Sequence, residues 1–141
     1  SVNRAIRDAH PDLNRPTSHT VVTSYNGVVL IAGETPNQQL KQLAGNAAQA
    51  VKGVKVVHNE LRVGHPTPAG VRANDSLLTS KVKARLVAET DAPSTKVKVV
   101  TVNGVVYLLG IVTRTEADNI THAVRHVGGV QKIVRLFEYI N

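Results

Sequence analysis

Cysteine, methionine and tryptophan are absent from these 141 residues, phenylalanine occurs once and tyrosine three times. Without cysteine there is no disulfide, no thiolate nucleophile and no thiolate metal ligand, although that absence identifies no compartment. With aromatics at only 3%, the core must be assembled from Val, Leu, Ile and Ala. No run approaches the roughly 18 consecutive apolar residues of a membrane span. The opening stretch SVNRAIRDAHPDLNRP has no apolar segment of the signal-peptide kind and reads instead as a helix whose start lies further upstream.

What is present is a chain 42% apolar, enough to build a core and too much for a disordered segment. The length suits one ordinary domain or two very small ones. Two small units would each bury too little surface to be robust alone, and packing them together is a natural remedy. The net charge is +7, with seven Lys and Arg against four acids in residues 1–70 and ten against six in 71–141. The excess is therefore spread over both halves. Such a balance favours anionic partners (nucleic acid, anionic lipid or acidic protein), and plain solubility explains the same charges equally well.

The chain repeats itself. YNGVVLIAG (Tyr25–Gly33) and VNGVVYLLG (Val102–Gly110) are near copies. In the first, HTVVTSY (His19–Tyr25) and VVLIA (Val28–Ala32) flank Asn26-Gly27; in the second, KVKVVTV (Lys96–Val102) and VVYLL (Val105–Leu109) flank Asn103-Gly104. Asn-Gly between two β-branched runs predicts a hairpin, because a type I′ turn needs positive φ at both central residues. A helix follows each hairpin. In copy one, Thr35 is the expected N-cap, with Pro36 at the first helical position and Gln38 completing a capping box; Thr113 and Glu116 form the matching box in copy two. Apolar residues then recur at helical spacing, at Leu40, Leu43, Ala44, Ala47 and Val51 and at Ala117, Ile120, Ala123, Val124 and Val127. Gly53 and Gly129 are expected to end these helices. Third strands follow, VKVVHNELRV (Val54–Val63) and VQKIVRLFEYI (Val130–Ile140). A further helix over Asp75–Glu89 precedes the second hairpin, matched in copy one by the stretch ending near Ala9. The expectation is an α+β fold of two tandem α-β-β-α-β units, each a three-stranded mixed sheet with two helices on one face. The first unit covers 1–64 and the second 75–141. Residues 65–74 lie within the Pro- and Gly-rich stretch GHPTPAGVRAND and read as a linker.

An α-β-β-α-β unit with an NG hairpin, a helix and GV before the last strand resembles the BON domain. Two in tandem resemble the dual-BON lipoproteins of the Gram-negative outer membrane. NDSLLTSKVKARL (Asn74–Leu86), VKVVTVNGVVYLLGIVTRTEA (Val97–Ala117) and GVQKIV (Gly129–Val134) carry the likeness over essentially the whole chain. The resemblance implies a protein tethered through an acylated N-terminal cysteine to the periplasmic face of the outer membrane. It also implies support of envelope integrity, in some members at division sites, with no catalytic activity and no cofactor. Anionic phospholipid would bind the second unit, mainly through its first helix.

That helix has suitable parts. At about 100° per residue, Leu78, Val82 and Leu86 form a core stripe. Leu77, Lys81, Ala84 and Ala88 gather within about 40° of the Leu77 direction, and Arg85 lies between the two faces. Cations near an anionic leaflet contribute about 1 kcal/mol each, and a fully buried Leu about 1.5–3 kcal/mol. The candidate lipid-binding residues are therefore Leu77, Lys81, Ala84, Arg85 and Ala88. Family members often carry Trp where this chain has Leu77, and Leu lacks the indole that settles at a membrane interface. The competing reading makes Lys81, Lys83 and Arg85 a solvated face and packs Leu77 on the other domain.

Other constellations are weaker. His122 and His126 stand one helical turn apart, but no HExxH and no third ligand accompanies them, so no metal is expected. Asp8, Asp12, Glu116 and Asp118 form no acid/base pair, and there is no G-x-S-x-G elbow or phosphate-cradling glycine loop. An enzyme is not expected. Nucleic acid is not expected either: of Tyr25, Tyr107, Phe137 and Tyr139, two sit on strands where burial is the simpler role, and single-strand binders need exposed aromatic platforms. The alternative to lipid binding is a protein-interaction scaffold, through an envelope or divisome partner or through self-association as a homo-oligomer.

Overall fold

The computed structural model describes residues 1–90 and 96–140. The chain divides into two compact units, 1–68 and 69–141. In the first, helix α1 (Val2–Ala9) and a short 3-10 turn (Pro11–Leu13) precede strands β1 (His19–Tyr25) and β2 (Val28–Thr35), helix α2 (Gln38–Gln49) and strands β3 (Val56–Asn59) and β4 (Arg62–Val63). In the second, helix α3 (Ala69–Glu89) leads to β5 (Val97–Val102), β6 (Val105–Val112), helix α4 (Arg114–Arg125) and β7 (Lys132–Tyr139).

Both Asn-Gly pairs form the expected turns, with φ of 51° and 80° at Asn26 and Gly27 and of 52° and 78° at Asn103 and Gly104. The central strand of each sheet pairs antiparallel with its hairpin partner and parallel with the last strand. These are mixed sheets, and parallel pairing is why a crossover helix must intervene. The glycine that closes each repeated nonapeptide has a steric cause. A Cβ at Gly33 would overlap the carbonyl oxygen of His19, and one at Gly110 that of Lys96.

The helices lie on one face of each sheet. In the second unit Leu78, Val82 and Leu86 of α3 pack with Ala117, Ile120 and Val124 of α4 over Val99, Val106, Leu108 and Val112. In the first, Ile6, Leu13, Leu40, Ala44, Ala48 and Leu61 cover Val29 and Ile31. The core is aliphatic, as the scarcity of aromatics requires.

Four local expectations are corrected. The cap of α2 is Asn37, whose side chain accepts from Leu40 N at 2.9 Å. Thr35 is instead the last residue of β2, where it pairs with Val63, and its hydroxyl bonds Ser18 at 2.9 Å. Gly53 and Gly129 have positive φ, but α2 and α4 already end at Gln49 and Arg125. The third strand of the first unit is broken at Glu60–Leu61 because Leu61 turns into the core. Finally, α3 begins at Ala69 rather than Asp75. Pro68, just ahead of it, suits a helix start, and Gly70 and Asn74, both in the stretch read as a linker, are carried within the helix.

Candidate functional site

Helix α3 has 21 residues, about 31 Å of rod, and two polar side chains and an apolar stripe fix its roll. Asp75 is buried, and its carboxylate accepts the backbone N–H of Asn103 at 2.7 Å and of Gly104 at 3.0 Å. Thr79 donates to the Thr101 hydroxyl at 2.7 Å. Below them the stripe Leu78, Val82 and Leu86 enters the core. With the inner face settled this way, the outer face is determined.

Leu77 is 54% exposed, and Lys81, Ala84 and Ala88 are exposed beside it. Arg85 is only half-buried and sits at the margin, as the wheel suggested. Its Nε lies 3.1 Å from Glu89 Oε2 without pointing along a hydrogen bond. Four of the five sequence-derived residues thus share one open face, and the fifth is partly neutralised at its edge. Two features escaped the sequence reading. Val87 is 73% exposed, the most exposed large apolar side chain described; at about 80° from Leu77 it fell outside the angular window used. The early start of α3 adds exposed Gly70 and Ala73 to the same face. Small residues lie between Leu77 and Val87, which stand about 15 Å apart along the axis. The matching helix of the first unit, α1, has no large apolar residue among the exposed ones.

The discounted constellations fall as follows. His122 and His126 are exposed, their ring centroids 4.5 Å apart, and His126 Nδ1 is 2.8 Å from the His122 carbonyl oxygen. No group of three metal-ligating side chains occurs among the described residues. Glu116 closes the capping box of α4, accepting the Thr113 N–H at 2.8 Å while the Thr113 hydroxyl accepts Glu116 N at 3.0 Å. The Thr113 amide, and then Lys96 with its Nζ at 3.8 Å, hold the Glu116 carboxyl below the usual carboxylate range against the opposing effect of burial. Tyr107 is buried, Phe137 packs on the core, and Tyr139 lies under the Arg114 guanidinium at 4.3 Å. In the first unit a buried polar cluster went unseen in the sequence: Glu34 Oε1 accepts the Thr67 N–H and hydroxyl, both at 2.6 Å, and meets His19 Nδ1 at 3.0 Å. Among the described residues no helix is long and apolar enough to cross a membrane.

A family model described as BON domain matches residues 1–65 and 74–141. Among curated proteins, the chain is 37% identical over 118 residues to the outer membrane lipoprotein DolP of Haemophilus influenzae, covering 84% of this chain and 61% of that one. It is 35% identical over 119 residues to the 21 kDa hemolysin of Actinobacillus pleuropneumoniae, with the same coverage of 84% and 61%. It is 34% identical over 109 residues to osmotically-inducible protein Y of Escherichia coli, covering 75% and 54%. The chain thus spans little more than half the length of these relatives.

Proposed function

Since the chain belongs to the BON domain family and carries its unit twice, we propose that it is a non-catalytic bacterial envelope protein that docks on anionic phospholipid through the open face of α3. The observation that carries this reading is the exposure of Leu77 and Val87 on one helix, separated by small residues and accompanied by Lys81. A membrane surface can take two such aliphatic side chains at the acyl boundary. The cations exposed or half-exposed on α3 are Arg72, Lys81, Lys83 and Arg85, against the single exposed carboxylate of Glu89. That surplus suits a negative leaflet.

Likeness to a protein named an outer membrane lipoprotein supports a place on the periplasmic face of that membrane, with a lipid anchor in the full-length form. Support of outer-membrane integrity, including a role at division sites, belongs to the same proposal. Co-sedimentation tests it. The chain is expected to pellet with phosphatidylglycerol or cardiolipin vesicles and not with phosphatidylcholine ones. Lys81→Glu with Arg85→Glu is expected to abolish pelleting, and unchanged binding would overturn the assignment to α3. Loss of all vesicle binding in the wild type, together with recovery of an envelope protein or a homo-oligomer, would favour the scaffold reading.

A further inference from the structure

Where α4 passes over β7, the surface of the second unit opens into a groove of about 420 Å³, lined by the cations Arg125, Lys132 and Arg135, the polar Thr121 and Gln131, and the apolar Val130 and Ile133. We propose that this groove is a second anion site, which takes a polar ligand bearing a phosphate ester.

Two of the three cations are free to act. Arg125 and Lys132 are exposed, and neither forms an ion pair among the described residues. Arg135 is held by Asp118 Oδ1 and by the Tyr139 hydroxyl, each at 3.2 Å. These contacts use only part of its five-donor fork and fix the guanidinium against the strand. Guanidinium groups match the geometry of phosphate oxygens, and a fixed one loses less entropy on binding. The Thr121 hydroxyl already donates to the Ala117 carbonyl oxygen at 2.7 Å, so the donors left to a ligand are the three cations and the exposed Gln131 amide. Val130 and Ile133 pack partly on the core and offer the carbon body of an ester an apolar floor. The volume exceeds what a bare phosphate ion fills.

Comparison of the two copies strengthens the point. Arg135 pairs with Leu108 across the sheet as Asn59 pairs with Ile31 in the first unit. There the short Asn59 amide donates to the Lys41 carbonyl oxygen of α2 at 2.8 Å, and Gly45 leaves it room, since a Cβ at that position would stand 2.7 Å from Asn59 Nδ2. One hydrogen bond thus ties helix to strand in the first unit. In the second unit Arg135 stands at the same position and reaches the Asp118 carboxylate of α4 instead, and Lys132 stands where Val56 is in the first. The second copy thus bridges the same seam with a cation and places a further cation beside it. The groove is also separate from the face assigned to phospholipid, because α3 packs over β5 and α4 over β7, at opposite edges of the sheet.

A lipid headgroup and a soluble sugar phosphate share this chemistry, and two experimental arms separate them. In the first, the 15N-labelled chain is titrated with glycerol 1-phosphate, against sodium chloride of equal ionic strength. Saturable shifts are expected at the amides of Thr121–Arg125 and Gln131–Arg135. They should weaken at least tenfold in Arg125→Ser with Lys132→Ser and persist in Leu77→Ser with Lys81→Glu. Absent or non-saturating shifts, or shifts equal in the groove variant, would overturn the proposal. In the second, the groove variant is sedimented with phosphatidylglycerol vesicles: reduced pelleting assigns the lipid headgroup, and unchanged pelleting assigns a soluble ester. A wild-type chain that ignores vesicles yet saturates with glycerol 1-phosphate would remove the α3 reading and leave the groove standing.

Discussion

Asp75 on α3 reaches the turn between β5 and β6, and its carboxylate holds the N–H of Gly104 at 3.0 Å. The same carboxylate also bonds Asn103 N, so one acidic side chain ties the exposed helix to the hairpin. Removing a partner from a buried charge-assisted bond costs about 1–3 kcal/mol per group left unpaired. Asp75→Ala is expected to lower stability by about 2–4 kcal/mol on that basis. Urea unfolding monitored on second-unit residues checks this, and a loss below about 1 kcal/mol would show that water replaces the carboxylate.

On the outer face of α3, the pairing of Arg85 with Glu89 predicts unequal charge effects. Reversing Lys81 is expected to weaken binding to phosphatidylglycerol vesicles by about tenfold or more, from roughly 1 kcal/mol lost and a similar repulsion gained. Arg85→Glu alone should do less, because Glu89 already offsets that cation. Vesicle titration at two salt concentrations separates these effects, since screening shrinks the electrostatic part and leaves the apolar part.

Val87 provides an independent check. Val87→Asp places a charge on the most exposed apolar position and should leave stability within about 0.5 kcal/mol. It is expected to reduce vesicle binding by about tenfold, as the burial of one aliphatic side chain implies. Undiminished binding would mean that α3 is held at the headgroups without entering the acyl boundary.

The cap of α4 predicts a pH dependence. Because the folded state holds Glu116 below the ordinary carboxylate range, unfolding raises its pKa. The cap then contributes stability above the unfolded value and loses it as pH falls through the folded one. Glu116→Gln should flatten this part of the acid limb in urea titrations. Thr113→Ala, which removes the reciprocal bond, is expected to cost about 1 kcal/mol at neutral pH.

The glycines that end the two nonapeptides predict a matched pair of lesions. Ala at Gly33 or Gly110 would drive a methyl into a carbonyl oxygen of the adjacent strand. Each substitution should destabilise its own unit by about 2 kcal/mol or more, because a backbone must move to admit it. Thermal unfolding of the two single variants tests whether the positions are equivalent.

The hairpins, the mixed sheets and the inner stripe of α3 were legible because each rests on a local or periodic signal. Asn-Gly dictates its turn, and Leu78, Val82 and Leu86 declare a face by spacing alone. Tertiary choices decided the rest. Thr35 looked like a cap, but its strand partner Val63 lies far along the chain and keeps it in β2. Asp75 looked like a helix start, and only the distant turn at Asn103 explains a carboxylate inside a helix. The outer face of α3 was found in large part, because an amphipathic helix reports its exposed side by subtraction. Val87 was missed because that side proved wider than the stripe first drawn. Arg125, Lys132 and Arg135 come together only once α4 crosses over β7, and no spacing in the sequence foretells that meeting.

The Asn26–Gly27 turn has the same backbone shape as Asn103–Gly104, yet among the described residues no carboxylate bonds its amides, whereas Asp75 covers those of the second turn. In hydrogen-exchange terms the two copies keep different time. The amides of Asn26 and Gly27 should exchange with solvent as an open loop does, while those of Asn103 and Gly104 wait for α3 to lift from the sheet. The second turn is thus a built-in reporter of whether that helix is seated.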